Sequence, residues 1–241
     1  MQRLAATVVV LLLFVGGCLP SGSNSDSGDT GVAGEGDVGS DADSTAQSDV
    51  DASEADSGEA DASAEVCGAE DQQERFHQLE EGLFDWCSVY LGSIHVPDTQ
   101  QTDMSFFTGL RRIHGRLTLF RNEDMVSLHG LEQLERAGTF GVSNALLLTD
   151  LSGLEGLTEV DAELYVNGNS GLRSLKGLDN VRTVGELSIV GNYDLESLDG
   201  LSSLERVEGD VVIDATDNLL RSEIEAFLAG IEVQGTVEIR E

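Results

Sequence analysis

Apolar residues recur along this chain in columns spaced by one repeat. The first column is Ile94, Leu117, Phe140, Leu164, Leu187, Val211 and Val237, and its intervals are 23, 23, 24, 23, 24 and 26 residues. Two residues after each stands a second apolar residue: Val96, Leu119, Val142, Val166, Ile189, Ile213 and Ile239. Apolar positions at period two predict a short strand with one buried face. Two residues before each marker stands a small residue, Gly92, Gly115, Gly138, Ala162, Gly185, Gly209 or Gly235. That predicts a tight corner, where a side chain would clash or where φ is positive.

Further columns fill the rest of the repeat. Met125, Leu148, Leu172, Leu195 and Leu219 come first. Three columns then step by three, led by Leu128, Leu131 and Leu134, and they carry the blocks Ser127-Leu-His-Gly-Leu131, Asp150-Leu-Ser-Gly-Leu154, Ser174-Leu-Lys-Gly-Leu178 and Ser197-Leu-Asp-Gly-Leu201. Ile113, Ala137, Val160, Val184 and Val207 lead into the next strand. The step of three, in an interval too short for a full helix and two turns, fits 3₁₀ or three-sided coiling more than a regular α-helix. A fixed period of this length means a solenoid, in which each coil buries its apolar side against its neighbours. The expected fold is mainly β, with strands of successive coils about 4.8 Å apart. Asn122, Asn169 and Asn192 recur at the corner after the strand, with Asn144 one place early. They read as a ladder that satisfies buried backbone groups, and Ala145, which breaks it, marks the weakest coil.

A solenoid needs capped ends. Phe76, Leu79 and Leu83 within residues 69–84 suit an N-terminal amphipathic helix. Ser222-Glu-Ile-Glu225 reads as a capping box, followed by an apolar face of Ile224, Phe227 and Leu228, a stop at Gly230 and a last strand over Thr236–Arg240. The domain is thus expected to comprise a cap over 67–87, coils over 88–215 and a second cap over 216–241.

Ahead of this domain the composition changes twice. Residues 1–17 have Arg3, an apolar run Leu4–Val15 and two small glycines, the pattern of an export signal. The run is shorter than the roughly 20 residues that cross a bilayer. Val15-Gly16-Gly17-Cys18 resembles the bacterial lipobox, which implies lipidation (acyl chains such as palmitate) at Cys18. Residues 19–66 hold thirteen acidic residues and no Lys or Arg among Asp, Ser, Gly and Ala. Such a segment is expected to be a disordered spacer, starting at the lipidated Cys18. With Cys18 lipidated in an exported protein, Cys67 and Cys87 are left as an expected disulfide. The whole chain carries a net charge of −32, and residues 67–241 carry −20 of it. Phosphate binding needs a basic surface, so nucleic acid is not an expected partner.

The blocks Gly115-Arg-Leu-Thr-Leu119, Gly185-Glu-Leu-Ser-Ile-Val-Gly-Asn192 and Leu195-Glu-Ser-Leu-Asp-Gly-Leu201 resemble the receptor L-domain family, a relative of leucine-rich repeats. The resemblance is strongest over about residues 87–215 and is closest to bacterial lipoproteins carrying such domains. It implies a right-handed, single-stranded β-helix with short helical caps, displayed at the cell surface.

Little in the chain points to catalysis. His77, His95, His114 and His129 fall at different phases of the repeat, and no nucleophile elbow, phosphate-binding loop or zinc-protease motif is present. Nothing calls for a cofactor or a resident metal. Glu163, Glu186 and Asp210 share one solvent-side column, with coils about 5 Å apart, and read as an exposed acidic strip or a weak cation site. Phe120, Tyr165 and Tyr193 are the candidates for a ligand face, because exposed aromatics serve as binding anchors. The expectation is an outer-membrane lipoprotein, Leu19 not being the Asp of an inner-membrane retention signal, with a non-catalytic domain that recognises a protein or glycan. An enzyme acting on extracellular polysaccharide and a purely structural envelope protein are the alternatives.

Overall fold

A computed structural model describes residues 65–68, 73–75 and 87–241, without the side chains of 73–75. All of these fall in the compact unit Asp56–Glu241. The export signal, Cys18 and nearly all of the acidic spacer lie outside the described residues.

The strands run in chain order as β1 (Val66–Cys67), β2 (Gln73–Arg75), β3 (Val89–Tyr90), β4 (Ser93–Pro97), β5 (Arg112–Phe120), β6 (Arg136–Ser143), β7 (Glu159–Asn167), β8 (Thr183–Val190), β9 (Arg206–Val207), β10 (Val211–Asp214), β11 (Glu232–Val233) and β12 (Val237–Arg240). Among the described residues one α-helix, α1 (Arg221–Leu228), lies between β10 and β11, and short 3₁₀ turns span Ser105–Phe107 and Asp199–Leu201. Every pairing is parallel and joins a position to its counterpart one coil on. Ile94 faces Leu117, Leu117 faces Phe140, Phe140 faces Leu164, Leu164 faces Leu187, and Val211 faces both Leu187 and Val237. The marker column is therefore the strand register, and the chain is a β-solenoid of about seven turns.

Strands β5 to β8 are long because each runs through a corner, and the register slips there, for example between Ile113 and Arg116. Close approach explains the small residues at the corner. A Cβ on Gly138 would lie 2.1 Å from the His114 carbonyl oxygen, and one on Gly185 2.1 Å from that of Ala162. Neither glycine has positive φ, so clash, not backbone conformation, decides between the two readings of the sequence. The Ser-Leu-x-Gly-Leu blocks differ. Gly130, Gly153 and Gly177 have φ of 107°, 112° and 108°, which only glycine adopts freely. An acid two residues on accepts each glycine's N–H: Glu132 at 2.8 Å, Glu155 at 2.9 Å and Asp179 at 2.8 Å. Part of the chain's acidity thus serves its turns. Burial works against the charge on Glu132, but the N–H groups of Glu132 and Gly130, together with His129, hold its carboxyl below the usual range.

The apolar columns form one continuous buried core. Met104, Phe107 and Leu110 are also fully buried. They hold the places of Leu128, Leu131 and Leu134 one coil earlier, without the Ser-Leu-x-Gly-Leu block that marks the later coils.

The asparagine ladder has a defined chemistry. Asn122, Asn169 and Asn192 are buried. Each donates to a strand carbonyl of the preceding coil: Val96 at 2.8 Å, Val142 at 3.1 Å and Val166 at 2.6 Å. Each side-chain oxygen accepts a backbone N–H from its counterpart one coil back, those of Thr99, Ala145 and Asn169. Ala145 holds a true ladder position but has no amide to reach the preceding coil. Asn144 belongs to the neighbouring column, where Asp98, Arg121, Asn144, Gly168 and Gly191 all have positive φ. Asparagine tolerates that conformation better than most residues, so its early position is not a displaced ladder residue.

At the N-terminal end, Cys67 and Cys87 form a disulfide with their Cα atoms 5.9 Å apart. It ties β1 to the start of the first coil, where β1 pairs with β3. Val66 lies in β1, and the Glu65 carbonyl accepts the N–H groups of Ser88 and Val89. The last two residues assigned to the spacer therefore belong to the folded part. Residues 73–75, within the stretch expected to be helical, form β2 against β4; Phe76, Leu79 and Leu83 lie outside the described residues. At the other end the helix starts two residues earlier than the sequence suggested. Leu220 is the N-cap, and its N–H donates to Glu223 Oε2 at 2.8 Å. Ser222 is thus inside the helix and does not cap it. Ile224 is buried under the last coils and Phe227 and Leu228 pack beside it.

Candidate functional site

The outward residues of the marker strands form three rows along the solenoid. One runs Ser93, Arg116, Thr139, Glu163, Glu186, Asp210; the next runs His95, Thr118, Gly141, Tyr165, Ser188, Val212; the third runs Pro97, Phe120, Ser143, Asn167, Val190, Asp214. Gly141 is the gap in the middle row. A Cβ there would lie 1.9 Å from the Tyr165 ring. The Tyr165 side chain therefore lies flat over Gly141, back toward the N-terminal coils. Its phenol reaches Thr118, and the Thr118 hydroxyl also bonds His95 Nδ1. Burial, then the Glu163 carboxylate, raise the Tyr165 pKa against the opposite pull of Thr118 and Arg116, so the phenol keeps its proton.

This row floors a hollow of about 410 Å³ lined by residues 95–98 of the first coil, Asp98 among them, and by Arg116, Thr118, Phe120 and Tyr165. Phe120 stands at its side with 44% of its surface exposed. The guanidinium of Arg121 lies 6.0 Å from the Phe120 ring centroid, and Arg121 is itself held by Asp98 at 3.5 Å.

Charge sets this hollow apart. Nine of the arginines with described side chains sit 2.7–3.9 Å from a carboxylate, most of them on an adjacent coil. Arg116 and Lys176 are the cations left without an ion pair among the described residues. A second hollow, of about 200 Å³, includes Arg136, but Glu159 and Asp161 hold that arginine at 3.1 and 2.8 Å.

The other predicted residues separate. Tyr193 is 66% exposed but lies past the Asn192 corner, away from the hollow that Phe120 and Tyr165 share. Glu163 and Glu186 are paired in register, with Asp210 next in the row. Asp210 is spent on the fold: its Oδ1 accepts from the Thr236 N–H at 2.7 Å and hydroxyl at 2.8 Å, which lowers its pKa. No acidic, His or Cys cluster among the described residues is arranged to hold a metal ion. His129 pairs with Glu132. No described helix is long and apolar enough to cross a membrane. His95, Thr118 and Gly141 were not singled out by sequence reasoning as ligand-face residues. Setting outward residues in coil register would have shown the glycine gap beside Tyr165.

Comparison of the chain with family models, curated proteins and solved structures gave no match.

Proposed function

We propose that this chain is a lipid-anchored protein of the Gram-negative cell envelope, in the outer membrane, whose solenoid recognises a protein or glycan without turning it over. In this reading Cys18 carries the lipid, residues 19–64 are the spacer, and the solenoid is of the receptor L-domain type. The lipobox-like Val15-Gly16-Gly17-Cys18 supports the anchor. The observation that carries the recognition role is the hollow on the sheet face, lined by Phe120 and Tyr165 and by an arginine without an ion pair among the described residues. Its polar groups are tied into a hydrogen-bonded row, which fixes a surface in advance of binding.

Two experiments test this. Intact mass of the purified full chain should show a lipid-modified Cys18 as the N-terminus, lost in Cys18→Ser; an unprocessed Met1 would contradict the anchor. Full chain in detergent should bind an envelope extract or a glycan array saturably, and Phe120→Ser/Tyr165→Ser should abolish it. Turnover of an acidic glycan that Glu186→Ala abolishes would replace recognition with catalysis.

A further inference from the structure

We infer that the hollow centred on Arg116 takes the carboxylate of a single acidic sugar residue, with the sugar ring against Phe120 and its hydroxyls toward Tyr165 and His95. This rests on the recognition reading and names its ligand class.

The first argument is the charge inventory. Acidic residues outnumber Lys and Arg by 45 to 13 in this chain, and nine described arginines have found carboxylate partners. Among the described residues Arg116 has none, although Glu163 is in its own row two coils on. It lines a hollow instead. A guanidinium offers a planar fork that matches a carboxylate with two parallel hydrogen bonds.

The second argument is the rest of the lining. Phe120 is an exposed ring backed by Arg121, which Asp98 anchors. A flat apolar platform beside hydroxyl and imidazole groups suits a pyranose, which has an apolar face and a polar rim. About 410 Å³ is within the usual range of small-ligand sites.

Two competing carboxylates fit less well. A polyanion would meet the −20 of the surrounding domain, so one carboxylate flanked by neutral sugars is favoured over a run of them. A peptide C-terminus is usually captured by a nest of free backbone N–H groups. Here the strands beneath the hollow pair on both sides, β5 with β4 and β6, and the groups on offer are side chains.

Calorimetric titration of the full chain in detergent tests the inference, with a methyl-capped glucuronyl disaccharide as probe. Its glucosyl counterpart and an acetylated tripeptide with a free C-terminus are the comparisons. The acidic disaccharide should bind at least about tenfold more tightly than either and weaken as salt is added. Arg116→Gln should cost about tenfold or more, and Arg116→Lys should retain part of the affinity. Lys176→Gln, which removes the other unpaired cation, should change nothing. Equal binding of acidic and neutral sugars, tighter binding of the tripeptide, or an unaltered Arg116→Gln variant would overturn the inference. So would no binding of the acidic sugar at millimolar concentration. If envelope capture dependent on Phe120 and Tyr165 persists in that case, only the ligand class is lost; if it too is absent, the recognition reading falls with it.

Discussion

The two halves of the outward sheet face share one backbone and differ in chemistry. In the N-terminal half, Gly141 leaves a gap, Tyr165 lies across it, and Arg116 faces the hollow unpaired. In the C-terminal half several outward polar groups are engaged locally. Asn167 Oδ1 accepts from the Ser188 hydroxyl and the Val190 N–H, Asp214 Oδ2 accepts from Gly191, and Asp210 accepts from Thr236. The repeat therefore supplies a frame, and the places where it is broken supply the site. A regular solenoid face is flat; a missing side chain makes it concave.

That comparison can be broken or sharpened in four ways. The largest effect should come from the shared frame. Gly138→Val and Gly185→Val each force a side chain onto a carbonyl of the neighbouring coil and should each cost about 3 kcal/mol or more in urea unfolding. Unequal costs would show that the halves do not share one frame. Next, Cys87→Ser should cost about 3 kcal/mol, seen as a melting temperature lower by several degrees; an unchanged value would remove the disulfide from the account. Between the halves, Ala145→Asn should complete the ladder and add about 1 kcal/mol, whereas Asn169→Ala should lose about 1–3 kcal/mol. The smallest change in stability is expected from Gly141→Ala, yet it should expel the Tyr165 ring from its place. Burial and Glu163 raise the phenol pKa, so the displaced phenol should ionise at lower pH, nearer an ordinary tyrosine, in an ultraviolet titration. An unshifted tyrosine titration would mean that the glycine gap does not position Tyr165.

The frame was legible because solenoid packing repeats every constraint. Each inward position of a coil stacks on the same position of the next, so seven residues from Ile94 to Val237 report one register. The first coil was harder to see, because Met104, Phe107 and Leu110 fill their places with different shapes and lack the turn glycine. The helix start was misplaced because Glu223 reaches back to the N–H of an apolar N-cap, Leu220, which no side-chain pattern announces. The site was only half legible. Phe120 and Tyr165 stood out as aromatics at outward positions, but the place of the Tyr165 ring in the hollow depends on Gly141, and absence of a side chain makes no motif. Likewise Arg116 gains meaning only once the ion pairs of the other arginines are seen. Tyr193 looked equivalent to Phe120 and Tyr165 in sequence, and the corner at Asn192 sets it apart; Asp210 looked like one more member of the acidic strip until its bonds to Thr236 were seen.

The most direct test of the central claim sets the two halves against each other in one binding assay. Saturable capture of envelope material by the full chain would be compared for Phe120→Ser/Tyr165→Ser and for Ser188→Ala/Val212→Ser, with melting temperatures confirming that both variants fold. The account predicts loss of binding in the first and retention in the second. Loss in the second with retention in the first would contradict it, and would move recognition away from the hollow to the flat half of the face.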